Sequence, residues 1–364
     1  MQFEKVCIES FGYTIPATNV TSEQIEQRLA PIYQRLKLPE GRLELMTGIG
    51  ERRFWPAGTL VGDVSISSCE SAIQASGFDR DKIGLLIHGS VCRDHLEPAT
   101  ACRVHHHLNL PGECMIYDVS SACLGIMNGM LQAANMIELG QVQAALVVGS
   151  ENGRGLVDTT IDTLNQDETL TRKSIKNSIA SLTIGSASCA VLLTHESISQ
   201  TGNRLTHATA TANTQYNDLC QSLSDQAGSM QPLMETDSET LMMQGIATGK
   251  ATFERFLAKS DWSRESIDRT FCHQVGSAHR KLMLEAISMG DDTDFTTFQF
   301  LGNTGSAALP ITMARAIEAG QLNQNDRLAL LGIGSGINCL VMGVEWQKGL
   351  CVGNEIDTFE KVTA

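Results

Sequence analysis

The sequence predicts an α/β protein made of two similar halves, each an arrangement of parallel strands separated by helices. Three observations carry this. Short apolar runs of the kind found in strands buried on both faces recur along the chain. They are KIGLLIHGSV (82–91), ECMIYDVS (113–120) and AALVVGS (144–150), then RTFCHQV (269–275), FTTFQFLG (295–302), RLALLGIG (327–334) and NCLVMGVEW (338–346). Helical stretches alternate with them, and the order of elements in the first half returns in the second without similarity of residues. Finally, 364 residues with 42% hydrophobic and 19% charged side chains suit one large or two fused α/β units.

In chain order, residues 2–12 alternate loosely and read as a strand. Thr21 opens a helix in TSEQIEQRL, with Gln24 as the far half of a capping box. The run at 82–91 leads into a helix entered at Pro98, and the run at 113–120 into one from about Cys123 to Leu139. Residues 151–236 are polar and irregular (DTLNQDETLTRKS, TATANTQYND) and read as inserted loops over a site. Helices are expected near 237–258, over 277–288 and from Thr304. The halves divide as 1–195, holding the first set of strands and the cap insertions, and 196–364.

The net charge of -14 speaks against nucleic-acid binding, which requires basic surface. The start, MQFEKVCIESFGY, lacks the basic and apolar regions of a signal peptide, and no apolar run reaches spanning length. Eleven cysteines stand singly, with no CxxC pair, the usage of a reducing compartment. A cytoplasmic protein is the expectation.

Ligands of open α/β sheets bind at the carboxyl ends of strands. The repeat gives Cys123 and Asn303 the same station, a strand-to-helix turn, while Glu97 and His273 follow or end the preceding strand. Two such strand ends facing each other bring all four into one cavity. At the first turn of a helix Cys123 is expected to favour the thiolate, and Ser120, Ser121, Ala122 and Gly125 leave room for a substrate. A thiol nucleophile needs a proton acceptor and donors to a developing oxyanion, for which His273 and Asn303 are suitable types. The glycine-rich GIGSGINC (332–339) offers backbone N–H groups for the same purpose. His105, His106 and His107 are consecutive on a helix and point in different directions, so no metal site is read there.

Taken together, DVSSACLG, HQV, GNTGS and GIGSGINC resemble, in order, the ketoacyl synthase III branch of the thiolase superfamily. Within it, SVCRDHLEPATACRV (90–104) and TGIGERRFW (47–55) are similar to the OleA-like group, which joins two long-chain acyl-CoA molecules without decarboxylation. The resemblance implies a five-layer αβαβα thiolase fold, a homodimer, a Cys123–His273–Asn303 triad, and an oxyanion hole from the backbone N–H of Cys123 and Gly336. It implies CoA thioesters as substrates and no cofactor or metal. Glu97 becomes the base that removes an α-proton, reaching across the dimer into the neighbour's site; without the resemblance, a glutamate before Pro98 equally suits a helix N-terminus. The pattern departs from fatty-acid-initiating synthases: HQVGSAHR carries Arg280 late, and Met46 stands where a basic residue often precedes TGI, so CoA contacts are not transferred. Cys339 lacks the CxG setting of a thiolase's second cysteine. The alternatives are a decarboxylating synthase using a malonyl thioester and, in another class, an inactive acyl-binding subunit.

Overall fold

The computed structural model describes residues 1–224 and 232–356. The apolar runs fold as strands of one hydrogen-bonded sheet: β1 (Val6–Pro16), β2 (Ile83–Gly89), β3 (Met115–Val119), β4 (Ala144–Glu151), β5 (Ala187–His195), β6 (Arg204–Ala212), β7 (Arg269–Cys272), β8 (Arg327–Gly334), β9 (Asn338–Glu345) and β10 (Cys351–Ile356). Their order is β7-β8-β9-β6-β1-β5-β4-β2-β3, with β10 parallel to β1. The halves meet where β1 pairs with β6, at Cys7 and Arg204, and with β10, from Phe11–Cys351 to Pro16–Ile356. Numbered within its own half, the first reads 3-2-4-5-1, and the second reads 2-4-5-1 when the station of FTTFQFLG is counted as an empty third, so the repeat of elements extends to topology.

Strand 3 of the second half is the missing one, and here the sequence reading is corrected. FTTFQFLG is not a strand: a single bridge, Thr270 with Asp294, stands at its station, and Phe298–Leu301 is a short helix. Side chains have taken the backbone donors that pairing would use. The Gln274 Oε1 accepts from Thr297 N and Phe298 N at 2.9 and 3.3 Å.

A second correction concerns 151–236. Besides a helix, that segment contributes β5 and β6, in the interior of the sheet. β5 is rich in Ala, Ser and Cys, and RLTHATATA reads as polar although threonine suits a pleated strand. The hydroxyl of buried Thr206 donates to Gly343 O at 3.2 Å.

Helices α1 (Val61–Ser76) and α2 (Thr100–Leu108) cover the outer face of the first half-sheet through Cys69, Ala72 and Val104. Helices α3 (Gly125–Glu138) and α7 (Ala308–Glu318) lie between the half-sheets, where Met127, Met130, Ile311 and Met313 share one core with strands of both. Helices α5 (Ser238–Ser260) and α6 (Ser277–Ile287) cover the outer face of the second through Phe253, Phe256 and Met283. The result is five layers, αβαβα. Helix α4 (Arg154–Gln166) packs with three short N-terminal helices around a separate core including Ile25, Leu29 and Ile161. The first of those helices carries the expected capping box: Gln24 N donates to Thr21 Oγ1 at 3.1 Å, and Thr21 N to Gln24 Oε1 at 2.9 Å.

Candidate active site

Cys123 lies in a 3-10 turn, Ala122–Leu124, directly before α3. Ala122 has φ of 46°, a left-handed conformation costly for a residue with a Cβ. The turn is held by the closeness of helix and strand. A Cβ on Gly125 would stand 2.3 Å from Gly89 O, and one on Gly89 2.4 Å from Gly125 O. Gly125 thus serves helix–strand contact rather than substrate room, and it fixes Cys123 at the carboxyl end of β2.

The thiol does not behave as the helix dipole led us to expect. Burial pushes it up to about 12, and the Glu151 carboxylate and Cys220 add to this; its own backbone N–H opposes the shift only in part. The helix proper begins two residues later, so its dipole does not outweigh desolvation. Cys123 is a thiol at neutral pH and needs a base at the moment of reaction.

His273 is buried just beyond β7, its N–H donating to Leu331 O of β8 at 3.0 Å. Burial, with His279 nearby, drives its imidazole down to about 3, so it is neutral at pH 7 and carries one ring nitrogen without a proton. Gln274, next in sequence, bonds to Thr297 and Phe298 and so ties the histidine to the segment leading into Asn303.

Asn303 follows Gly302, whose φ of 67° and lack of Cβ let the chain run against Thr183; a Cβ there would meet Thr183 O at 2.6 Å. Asn303 N donates to Thr183 O and Gly185 N to Asn303 O, each at 2.9 Å. The Asn303 Oδ1 accepts from Gly305 N at 3.0 Å, which fixes the amide and leaves Nδ2 as a donor. Among the described residues, no hydrogen bond occupies that Nδ2 or the His273 ring.

The 122–124 turn packs against both β8 and the Gly305–Ala307 turn. Gly336, with φ of 76°, lies in the hairpin between β8 and β9, and no turn or loop bond among the described residues uses its N–H. The structure therefore gathers the segments bearing Cys123, His273, Asn303 and Gly336 around adjacent strand ends.

It does not gather Glu97. That residue is exposed on the segment between β2 and α2, beside Leu96, which is 94% exposed. The helix expected from Pro98 begins at Thr100, and its N-terminus is capped from β3: Asp118 accepts from Thr100 N and Ala101 N at 2.8 and 2.9 Å. Glu97 thus has no capping task, and the expectation of all four residues in one chain's cavity is corrected. The histidine run lies on partly exposed helix surface: His105 bonds to Pro111 O and His106 is exposed.

One residue escaped the sequence reading. Glu151 ends β4, is 4% exposed, and accepts bonds from two separate segments of the site. A carboxylate closing an otherwise apolar strand, AALVVGSE, was the available signal.

Comparison with known proteins agrees with this geometry. A model of the 3-oxoacyl-[acyl-carrier-protein] synthase III C-terminal region matches residues 257–346, a synthase III model 117–214, and a thiolase N-terminal domain model 45–155. An acyl-CoA:acyl-CoA alkyltransferase of Shewanella oneidensis is 41% identical over 351 residues, spanning 95% of this chain and 100% of the relative. The chain belongs to the OleA-like group of the ketoacyl synthase III family. Cerulenin-bound OleA of Xanthomonas campestris superposes on the OleA-like chain with a TM-score of 0.89 at 32% identity, covering 95% of this chain and 98% of that one. A Xanthomonas oryzae protein described as a 3-oxoacyl-(acyl carrier protein) synthase III has the same TM-score and identity, over 95% and 100%. The family is one of carbon–carbon condensing acyltransferases, and no helix among the described residues is long and apolar enough to cross a membrane.

Proposed function

We propose that this enzyme condenses two fatty acyl-CoA molecules head to head, without decarboxylation, through an acyl-Cys123 intermediate. In the first half-reaction the Cys123 sulfur attacks the thioester carbonyl of one acyl-CoA. Neutral His273 takes the thiol proton and returns it to the departing CoA thiolate. The backbone N–H groups of Cys123 and Gly336 hold the transient oxyanion. A second acyl-CoA then enters, with His273 and Asn303 polarising its carbonyl. Glu97 removes its α-proton, and the resulting enolate attacks the acyl-Cys123 carbon. A carbon–carbon bond forms, the carbon–sulfur bond breaks, and the Cys123 thiolate recovers a proton. The product is a 2-alkyl-3-oxoacyl thioester or the acid from its hydrolysis. No cofactor or metal enters this sequence.

The observation that carries the reading is the position of Glu97. A base is required when no CO₂ is lost, and Glu151, the buried carboxylate whose charge acts on Cys123, has its oxygens engaged by four N–H and O–H bonds. Glu97 is exposed on a segment that also exposes two large apolar side chains, Val91 at 51% and Leu96 at 94%, together with Arg93 and His95. Nearby, β3 forms a sheet edge and exposes Met115, 51% open. Exposed apolar side chains beside a sheet edge suit a second copy of the chain, whose site would receive Glu97.

A decarboxylating synthase is the second reading, favoured by the equal structural likeness to the Xanthomonas oryzae protein. An inactive acyl-binding subunit would have no use for the intact Cys, His and Asn set. The deciding experiment incubates the protein with acyl-CoAs, with and without malonyl-CoA, and identifies products by mass spectrometry. A 2-alkyl-3-oxo product from acyl-CoA alone is expected. Products formed only with malonyl-CoA would transfer the assignment to the second reading.

A further inference from the structure

We propose that Glu151 is a positioning residue whose carboxylate fastens the segment bearing Glu97 and the turn bearing Asn303 to the end of one strand, setting Asn303 relative to Cys123 of the same chain and Glu97 relative to the face it presents to a second copy. On one side Val91 N donates to its Oε1 at 3.1 Å and Cys92 N to its Oε2 at 3.2 Å, at the start of the segment leading to Glu97. On the other, Ser306 N and Ser306 Oγ donate to Oε1 at 3.3 and 2.6 Å, three residues beyond Asn303. Gly305, with φ of 56°, passes so close that a Cβ would lie 3.0 Å from the Glu151 Cγ. The same Gly305 N–H fixes the Asn303 amide. One buried side chain therefore joins β4 to both loops.

This arrangement is costly unless it serves placement. A buried carboxylate normally has a cationic partner, and Glu151 has none among the described ion pairs. Only N–H and O–H donors compensate it, three of them backbone groups of the two loops. Oε1 takes three of these bonds and Oε2 one, so both oxygens are tied to the loops. Burial keeps the Cys123 thiol protonated, and the Glu151 charge adds to that by opposing thiolate formation.

The catalytic consequence rests on the condensation mechanism above, but the tether itself is testable without it. Glu151→Gln keeps the shape, removes the charge and turns one acceptor into an NH₂ group, donor facing donor. Amide exchange in a peptide covering 91–99 should rise by roughly tenfold or more while the β4 core stays protected. Alkylation of Cys123 by iodoacetamide at pH 8 should become faster, because the opposing charge is gone. Condensation should fall roughly tenfold to a hundredfold, the scale of an ångström of misplacement, with acyl loading of Cys123 affected less. Ser306→Ala removes a single bond and keeps the charge, so it should slow condensation without altering the alkylation profile. It also serves if Glu151→Gln does not fold. Parent-like exchange over 91–99 in Glu151→Gln, or parent-like condensation in both variants, would overturn the proposal. If the parent itself condenses nothing, the function fails, while exchange and alkylation still decide the tether.

Discussion

Replacing Gly125 with alanine tests whether the glycine contact behind Cys123 is what places the nucleophile. The added Cβ would stand 2.3 Å from Gly89 O and 2.5 Å from Gly89 C, both backbone atoms of β2 that cannot rotate away. Relief requires α3 and β2 to separate by about an ångström, up to ordinary van der Waals distance. Overpacking of this kind costs about 1–3 kcal/mol, which lowers Tm by a few degrees. The same displacement moves Cys123, two residues away, and should slow its acylation by roughly a hundredfold. Thermal unfolding measures the first effect, and the rate of acyl adduct formation by intact-protein mass spectrometry the second. Gly112→Ala is the control, since no atom lies within 4 Å of the added methyl. If Gly125→Ala loads acyl groups at the parent rate, the helix–strand contact does not position the thiol, and the account of the turn fails.

Acyl-CoA alone should add one acyl mass to the peptide containing Cys123; a label at another cysteine, with Cys123→Ala fully active, would end the proposed mechanism. Because burial raises this thiol to about 12, its alkylation rate should keep rising with pH beyond 9 instead of levelling near an ordinary cysteine value. His273→Ala or Asn303→Ala should each lower condensation roughly a hundredfold with Tm nearly unchanged, and parent-like turnover would return that residue to a structural role. Stability should fall as pH drops from about 6.5 toward 4. His88, His273 and His279 are held neutral when folded, at about 4, 3 and 4, whereas the unfolded chain takes up their protons below 6.5. Burial raises the carboxyls of Glu151 and Asp294, an opposite contribution that is lost on raising pH, so a denaturation series from pH 4 to 8 reads the balance.

Much of this was legible because the physics is local. The parallel strands announce themselves as unbroken apolar runs, and β8 spans the residues read from RLALLGIG. Thr21 and Gln24 specify their cap within four residues of sequence. The misses are non-local. FTTFQFLG has strand composition, but Gln274, twenty and more residues earlier, captures its backbone donors. The strands Ala187–His195 and Arg204–Ala212 look irregular because small residues and threonines suit an interior whose neighbours are distant in sequence. The start of the second outer helix is set by Asp118 rather than by Pro98. At the site, the strand-to-helix station of Cys123 and the strand-end station of His273 could be read, whereas Asn303 follows a short helix instead of a strand, and the protonation of Cys123 depends on burial and on Glu151, which no motif signals.

The claim most open to direct attack is that Glu97 serves the neighbouring chain's Cys123. Glu97→Gln and Cys123→Ala chains, each inactive alone in condensation, should be co-expressed with different tags and the mixed dimers purified. One of the two sites in a mixed dimer then holds an intact Cys123 together with an intact Glu97 from the other chain. The account predicts recovery of about half of the parent's condensation rate from acyl-CoA alone, one working site in two. Purified mixed dimers with no activity would put Glu97 in its own chain's site, and full condensation by Glu97→Gln alone would remove it from the chemistry.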